Sequence, residues 1–248
     1  MMHRIVALLL LCLLPLGAQA EQVIAALSQT RVSVNANFDG SEILVFGAVK
    51  RDRPAPEDSP LDVIITVSGP ERVETIRRKD RRYGIWINVE AQVMGHSPTF
   101  YTVATTRPLA DILPPLTDSL WKITDDKRVL PGMRGHPARE ALIELREKAD
   151  LYRTREGEVE LSADTLFDTS IALPSNIVEG AYNTRIFLLR NGEVIDSYGT
   201  SINVQKVGIE RWLYNLAYSQ ALLYGIMALA IAALSGWGAS ELFRLIRR

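Results

Sequence analysis

Cysteine is nearly absent from this 248-residue sequence, Cys12 being the only one. A disulfide scaffold is excluded, and beyond position 12 so are a thiol nucleophile and a thiolate zinc site. Histidine is almost as scarce: of three, only His96 and His136 lie beyond the first twenty residues. That leaves little material for a histidine-based triad. Neither sign of charge prevails, with 28 Lys+Arg against 29 Asp+Glu. A net charge of −1 excludes nucleic-acid binding as the default reading. Phosphate-cradling glycine loops, Gly-x-Ser-x-Gly elbows and His-Glu-x-x-His helices are missing too. Asp125-Asp126 and Glu57-Asp58 have no partner pattern and read as solvated turns. No catalytic residue and no cofactor is assigned, so the reading is not an enzyme.

Long apolar runs are absent from the middle of the chain and confined to its ends. His3 and Arg4 precede ten apolar residues, Ile5 to Leu14, and Ala18-Gln19-Ala20 supplies a small-x-small site. This predicts a secretory signal over 1–20, cleaved before Glu21, because the run is too short to span a bilayer. Leu11 stands where lipoprotein processing of Cys12 wants a small residue, which argues against lipidation. At the other end no charge occurs between Arg211 and Glu241. Some 20 apolar residues suffice to cross as a helix, so 213–240 is a predicted transmembrane segment. Trp212, Tyr214, Trp237 and Phe243 flank it, and Arg244, Arg247 and Arg248 follow in the tail, 241–248. Rings at the headgroup level and cations beyond them predict a cytoplasmic C-terminus.

Between the ends the pattern is that of strands. Val32, Val34, Ala36 and Phe38 alternate with polar residues, as do Leu61, Val63, Ile65 and Val67, and Tyr83, Ile85, Ile87 and Val89. Ile43 to Phe46 is a continuous apolar run, expected of a strand covered on both faces. Turn signals separate them at Asp39-Gly40, Arg51 to Pro60, Gly69-Pro70 and Gly95 to Pro98. A first β-rich region thus spans 21–107. A Pro-rich and helical connection, 108–156, follows. In it Pro137 opens a helix whose expected apolar face is Ala138, Leu142, Leu145, Ala149 and Tyr152. A second β-rich region, 157–207, ends in two strands joined by Asn191-Gly192, the favoured pair for a tight hairpin. Gly180-Ala181-Tyr182 is similar to the tyrosine corner of immunoglobulin-like sandwiches. The expected fold is therefore mainly β: an immunoglobulin-like antiparallel sandwich of one or two units, an inserted amphipathic helix and one C-terminal membrane helix.

Three groups of residues are candidates for binding. Arg77, Arg78, Lys79, Arg81 and Arg82 crowd five cations into six positions near Trp86, suited to an anion or an anionic partner. Met94 with His96, and Met133 with His136, offer soft ligands of the kind copper(I) takes, though both pairs are expected in Gly/Pro-rich loops. Ala217, Ala221, Gly225, Ala228, Ala232, Gly236 and Ser240 make a stripe of small residues along the predicted anchor. Such a stripe lets membrane helices approach closely, towards a larger partner or a second copy.

Further short motifs run along the chain: Phe38-Asp39-Gly40, Phe46-Gly47, Ser68-Gly69-Pro70, Gly84-Ile85-Trp86-Ile87-Asn88 and Pro98-x-Phe100-Tyr101. Later come Leu166-Phe167, Leu173-Pro174, Gly180-x-Tyr182, Tyr224-Gly225 and Gly236-Trp237. With Arg77-Arg78-Lys79 they resemble a single-pass transmembrane protein family of alphaproteobacteria that has no assigned biochemical activity. The resemblance implies an inner-membrane protein with a periplasmic domain. It also implies a genomic neighbour similar to sulfite and organosulfonate exporters, hence an accessory role beside a multi-spanning permease. The alternative kept open is a membrane-anchored module that binds copper or a small anion.

Overall fold

A computed structural model describes residues 21–35, 38–51, 59–207 and 209–246. The predicted signal over 1–20, Glu57-Asp58 and most of the Pro-rich stretch 51–60 lie outside the described residues, as do Ala36 and the final Arg247 and Arg248.

Period-two alternation becomes twelve strands among the described residues. They are β1 (Gln22–Leu27), β2 (Arg31–Val34), β3 (Gly40–Lys50), β4 (Leu61–Ser68), β5 (Glu71–Arg82), β6 (Ile85–Pro98) and β7 (Tyr101–Thr105), then β8 (Tyr152–Arg155), β9 (Glu160–Ser162), β10 (Leu166–Pro174), β11 (Gly180–Arg190) and β12 (Glu193–Lys206). One sheet has four strands in the order β1-β3-β10-β9, and a second has six, β2-β12-β11-β4-β7-β8. Most neighbours are antiparallel, while β2 lies parallel to β12 and β8 parallel to β7. Both sheets draw strands from the two β-rich regions, since β3 pairs with β10 and β4 with β11. Strands β5 and β6 pair only with each other.

One core cluster takes Ile43 and Val45 from β3 and Phe167 and Ile171 from β10. From the larger sheet it takes Val63, Ile65, Ile186, Leu188 and Ile202. Burying each of these side chains contributes about 1.5–3 kcal/mol. Strand β4 is buried along its whole length because the connection covers its outer face. That connection folds as α1 (Leu109–Ile112), α2 (Pro115–Trp121), α3 (Asp125–Arg128), a 3₁₀ turn (Pro131–Met133) and α4 (Pro137–Lys148). Trp121 meets Phe187 edge-on at 5.6 Å, and Arg185 donates to the carbonyls of Trp121 and Lys122. Tyr101 and Tyr152 donate to the carbonyls of Ile123 and Pro98, at 2.5 and 2.6 Å. Burial pushes both phenols up to about 12, so they stay neutral donors at any physiological pH. Tyr182 is buried, and its hydroxyl accepts from the N–H of Val178 and donates to its carbonyl.

Three sequence expectations need correction. The run Ile43 to Phe46 is covered on one face only: Ile43 and Val45 are buried, whereas Leu44 and Phe46 are each 41% exposed. The strands enclosed on both faces are β4 and β7, and polar residues such as Asp62, Thr66 and Thr102 disguise them. In α4 the packed side is rotated from the expected one. Leu145 is 58% exposed while Arg139 is 1% exposed, beside the buried Leu142. The guanidinium takes that inward place because backbone carbonyls await it there. Finally, Ile85 to Val89 alternate without entering the core, because they belong to the two-stranded β5–β6 sheet.

After β12 the chain enters α5 (Ile209–Ser219) and α6 (Ala221–Ile246). The expected continuous helix over 213–240 is divided at Gln220, though hydrogen bonds bridge the division (Gln220 N–H to Leu216, Tyr224 N–H to the Gln220 carbonyl). Within α6, Ala221–Ser240 is 20 residues of mean hydropathy 1.7, none of it buried, and it is one candidate membrane span.

Candidate functional site: a projecting basic hairpin

The β5–β6 arm is an extension of the β4–β7 pairing beyond the two larger sheets. At its root the N–H of Gly69 donates to the Phe100 carbonyl at 2.8 Å, and the N–H and hydroxyl of Thr99 both donate to the Pro70 carbonyl. From there the register runs Glu71 to Pro98 at the base and Arg82 to Ile85 at the tip, with two bulges on the way. Bulges increase local twist and spoil a strand pair for further pairing. Two ion pairs brace the lower arm against the connection, Arg128–Glu71 and Arg146–Glu74.

Successive strand residues point to opposite faces, so the basic block splits. One face carries Arg77, Lys79 and Arg81, opposite Ala91, Asn88 and Trp86. The other carries Arg78, Asp80 and Arg82, opposite Glu90, Ile87 and Ile85. Ion pairing follows the same division. Arg78 donates to Glu90 at 3.2 Å, and Arg82 sits 3.7 Å from Asp80. Among the described residues, no carboxylate lies within ion-pair distance of the side-chain cations of Arg77, Lys79 or Arg81, although Asp80 accepts from the backbone N–H of Arg81 at 2.8 Å. The arm thus has a face of paired cations and a face of unpaired ones.

Tyr83 and Gly84 turn the chain at the tip with φ of 52° and 84°. Tyr83 is fully exposed, and Ile85 and Trp86 are 64% and 68% exposed. Tyr83, expected to open the alternating strand with Ile85, stands in the turn instead; Gly84 is the signal that could have marked it. A cleft of about 560 Å³ lies between the arm and α4, lined in part by Ile76, Arg78, Glu90, Gln92 and His136, and Arg77 borders it too.

The soft-ligand candidates are engaged elsewhere. Met94 is buried in the core cluster and Met133 packs against it. His136 caps α4: its Nδ1 accepts from the N–H of Ala138, and its Nε2 is 3.3 Å from the Gln92 amide. His96 lies across from Val73 on the open face of the arm. These residues sit in a strand, a 3₁₀ turn and a helix start rather than in the loops expected. Among the described residues no group of three or more His, Cys, Asp or Glu side chains is placed to hold a metal ion.

The small-residue stripe is also divided, with Ala217 on α5 and Ala221, Gly225, Ala228, Ala232, Gly236 and Ser240 on α6. A side chain added at Gly225 or Gly236 would meet nothing within 4 Å, so this face is open. Two polar centres escaped the sequence reading. Arg139 donates to the carbonyls of Val129 and Asp126 and pairs with Asp126 and Glu140. Glu21 is gripped by Arg51 and Arg190 at 2.6–2.8 Å. Nothing in the local pattern marks either one, because Asp126 and Val129, like Arg51 and Arg190, are distant in the sequence.

Comparison with known proteins adds little to this geometry beyond the family. No curated protein matches the sequence. Among solved structures the chain is similar to Spo0M, the sporulation control protein of Bacillus subtilis, at 11% identity and a TM-score of 0.29. That likeness covers 83% of this chain and 56% of the other, too distant to carry an argument. The decisive match is to a family model over residues 22–245, the strands, the arm and the apolar helix included. The chain belongs to the family described as "Putative transmembrane protein (Alph_Pro_TM)".

Proposed function

We propose that this is a non-enzymatic accessory protein of the bacterial inner membrane, held by α6 with its strand-rich region in the periplasm. In this reading the arm is the binding element and meets an anionic surface through Arg77, Lys79 and Arg81. One observation carries it: the register sorts the arm's cations into a paired face and an unpaired face. A hairpin that is merely solvated has no need of that sorting. The strand-rich region is read as immunoglobulin-like, supported by the hydroxyl of Tyr182 bonding back to Val178, four residues upstream. Basic residues after the span support a cytoplasmic C-terminus.

The membrane partner in this reading is a multi-spanning permease of the sulfite and organosulfonate exporter kind, met by the open small-residue face of α6. Lipid is as apolar as a helix surface, so close packing of such a face is what association in the bilayer requires. Photoreactive residues at positions 225 and 232 and at 86, in the full chain in its native membrane, test both contacts. A heterologous band carrying a multi-spanning protein is expected from 225 or 232. Bands at twice the monomer mass would replace the permease with a second copy. No crosslink from any of the three positions would overturn the reading.

A further inference from the structure

We propose that the anionic surface met by the arm is the phospholipid headgroup layer of the bilayer that α6 crosses, with the tip at Tyr83, Ile85 and Trp86 entering that layer. The inference rests on the reading of the arm as a binder of anionic surfaces, and it names the surface.

Charge supplies the first argument. Between Arg77 and Glu90 there are five cations and only two carboxylates. Both carboxylates pair on one face, which leaves the other positive. Juxtamembrane cations are drawn to anionic lipid.

The tip supplies the second. An exposed tyrosine, tryptophan and isoleucine beside arginines is the composition that settles at the headgroup boundary. A soluble anion would be served by the cations alone and would leave these rings in water. The depth is limited as well. The outer edges of a two-stranded arm carry unpaired N–H and C=O groups, which hydrocarbon does not tolerate. Entry therefore stops at the interface.

Reach supplies the third. Strand β12 ends at Lys206 and the candidate span begins at Ala221, so a short link and α5, about 16 Å of helix, separate the strands from the bilayer. Strand β5 alone, at 12 residues, is about 40 Å long. The tether also keeps the bilayer at high effective concentration for the arm.

The turn adds a fourth. At the tight hairpin Asn191-Gly192, φ is 49° and 80°, nearly the values at Tyr83-Gly84. Asparagine is the residue that tolerates this conformation, and the arm holds a fully exposed tyrosine there instead. No contact within the described residues explains that choice, whereas an interfacial ring does.

The test uses the full chain reconstituted in bilayer discs, with Cys12→Ser and an environment-sensitive dye on Tyr83→Cys. Discs contain phosphatidylcholine alone or with phosphatidylglycerol, and polyglutamate is offered separately as an acidic polypeptide. The expected result is a blue shift and quenching by headgroup-level nitroxides in phosphatidylglycerol discs only, falling by at least half in high salt. Arg77→Gln with Lys79→Gln and Arg81→Gln should lower the shielded fraction's equilibrium about a hundredfold. Arg78→Gln, on the paired face, should lower it less than tenfold. Circular dichroism confirms that each variant is folded. Equal emission in both kinds of disc would overturn the lipid inference. If polyglutamate then shields the dye, the arm still binds anionic surfaces and the partner is an acidic protein. If it does not, the broader reading of the arm fails too.

Discussion

Arg139 presents a buried guanidinium whose three nitrogens all donate: Nε to the Val129 carbonyl, Nη2 to the carbonyl and carboxylate of Asp126, Nη1 to Glu140. It ties α4 to the end of α3 beneath the core. Removing it leaves two carbonyls short of a donor and opens a void, so Arg139→Ala is expected to cost about 3 kcal/mol or more, read from the denaturation midpoint. Glu21 makes the opposite kind of test, because its effect depends on pH. Hydrogen bonding from Arg190, and then from Arg51, holds its carboxyl below the ordinary 4.5, against the opposing effect of burial. A depressed carboxyl stabilises the fold above its unfolded pKa, and the contribution fades as pH falls through the folded value. Glu21→Gln should therefore be less stable than the natural chain at pH 7, with the two melting curves converging as pH falls through the lowered value of Glu21. A gap that stayed constant with pH would show that packing alone accounts for the loss.

The two tight hairpins show how far local signals carry. Asn191-Gly192 was legible because both residues fit the turn by their own chemistry. Gly192 is fixed further: a side chain there would come within 2.5 Å of Pro114. Gly192→Ala should thus lose more than about 1 kcal/mol, while the matching change Gly84→Ala meets no neighbour and loses only what backbone conformation demands. Tyr83→Asn should move the other way, gaining on the order of 0.5–1 kcal/mol in thermal stability as it weakens any interfacial contact of the tip. An unchanged or lowered midpoint would mean that the tyrosine is held by the fold itself. Alternation in the arm was visible in the sequence, but period two states only that two faces differ. Whether either face is buried depends on what lies against it. The same limit explains α4, where Leu145 fits the apolar stripe and yet faces solvent. Arg139 fits the polar side and yet lies inside, since the carbonyls that receive it, those of Val129 and Asp126, are ten and 13 residues away.

Whole-molecule organisation was the least legible level, and sheet order shows why. Pairings such as β3 with β10 and β4 with β11 join residues more than one hundred positions apart, and alternation carries no record of the partner. The two β-rich regions look separable along the chain, but each completes the other's sheets. A fragment ending at Arg107 lacks β10 and β11 and is expected to remain unfolded by near-ultraviolet dichroism. The arm is the exception, because it pairs only with itself. Deleting 77–91 and joining Ile76 to Gln92 through Asn-Gly keeps a pair already in register. The cut spares what links the arm to the body: Met94 in the core, Glu74 with Arg146, Glu71 with Arg128, and the Thr99–Pro70 closure. Exposed residues away from such features change stability by only about 0.5 kcal/mol each way. The shortened protein is expected to melt within a few degrees of the natural one and to insert in membranes as before. It should lose the salt-sensitive contact, since all five clustered cations and Trp86 are gone. A collapse of the melting temperature would mean that this hairpin is part of the strand-rich body's own structure, and the case for a binding arm would fall with it.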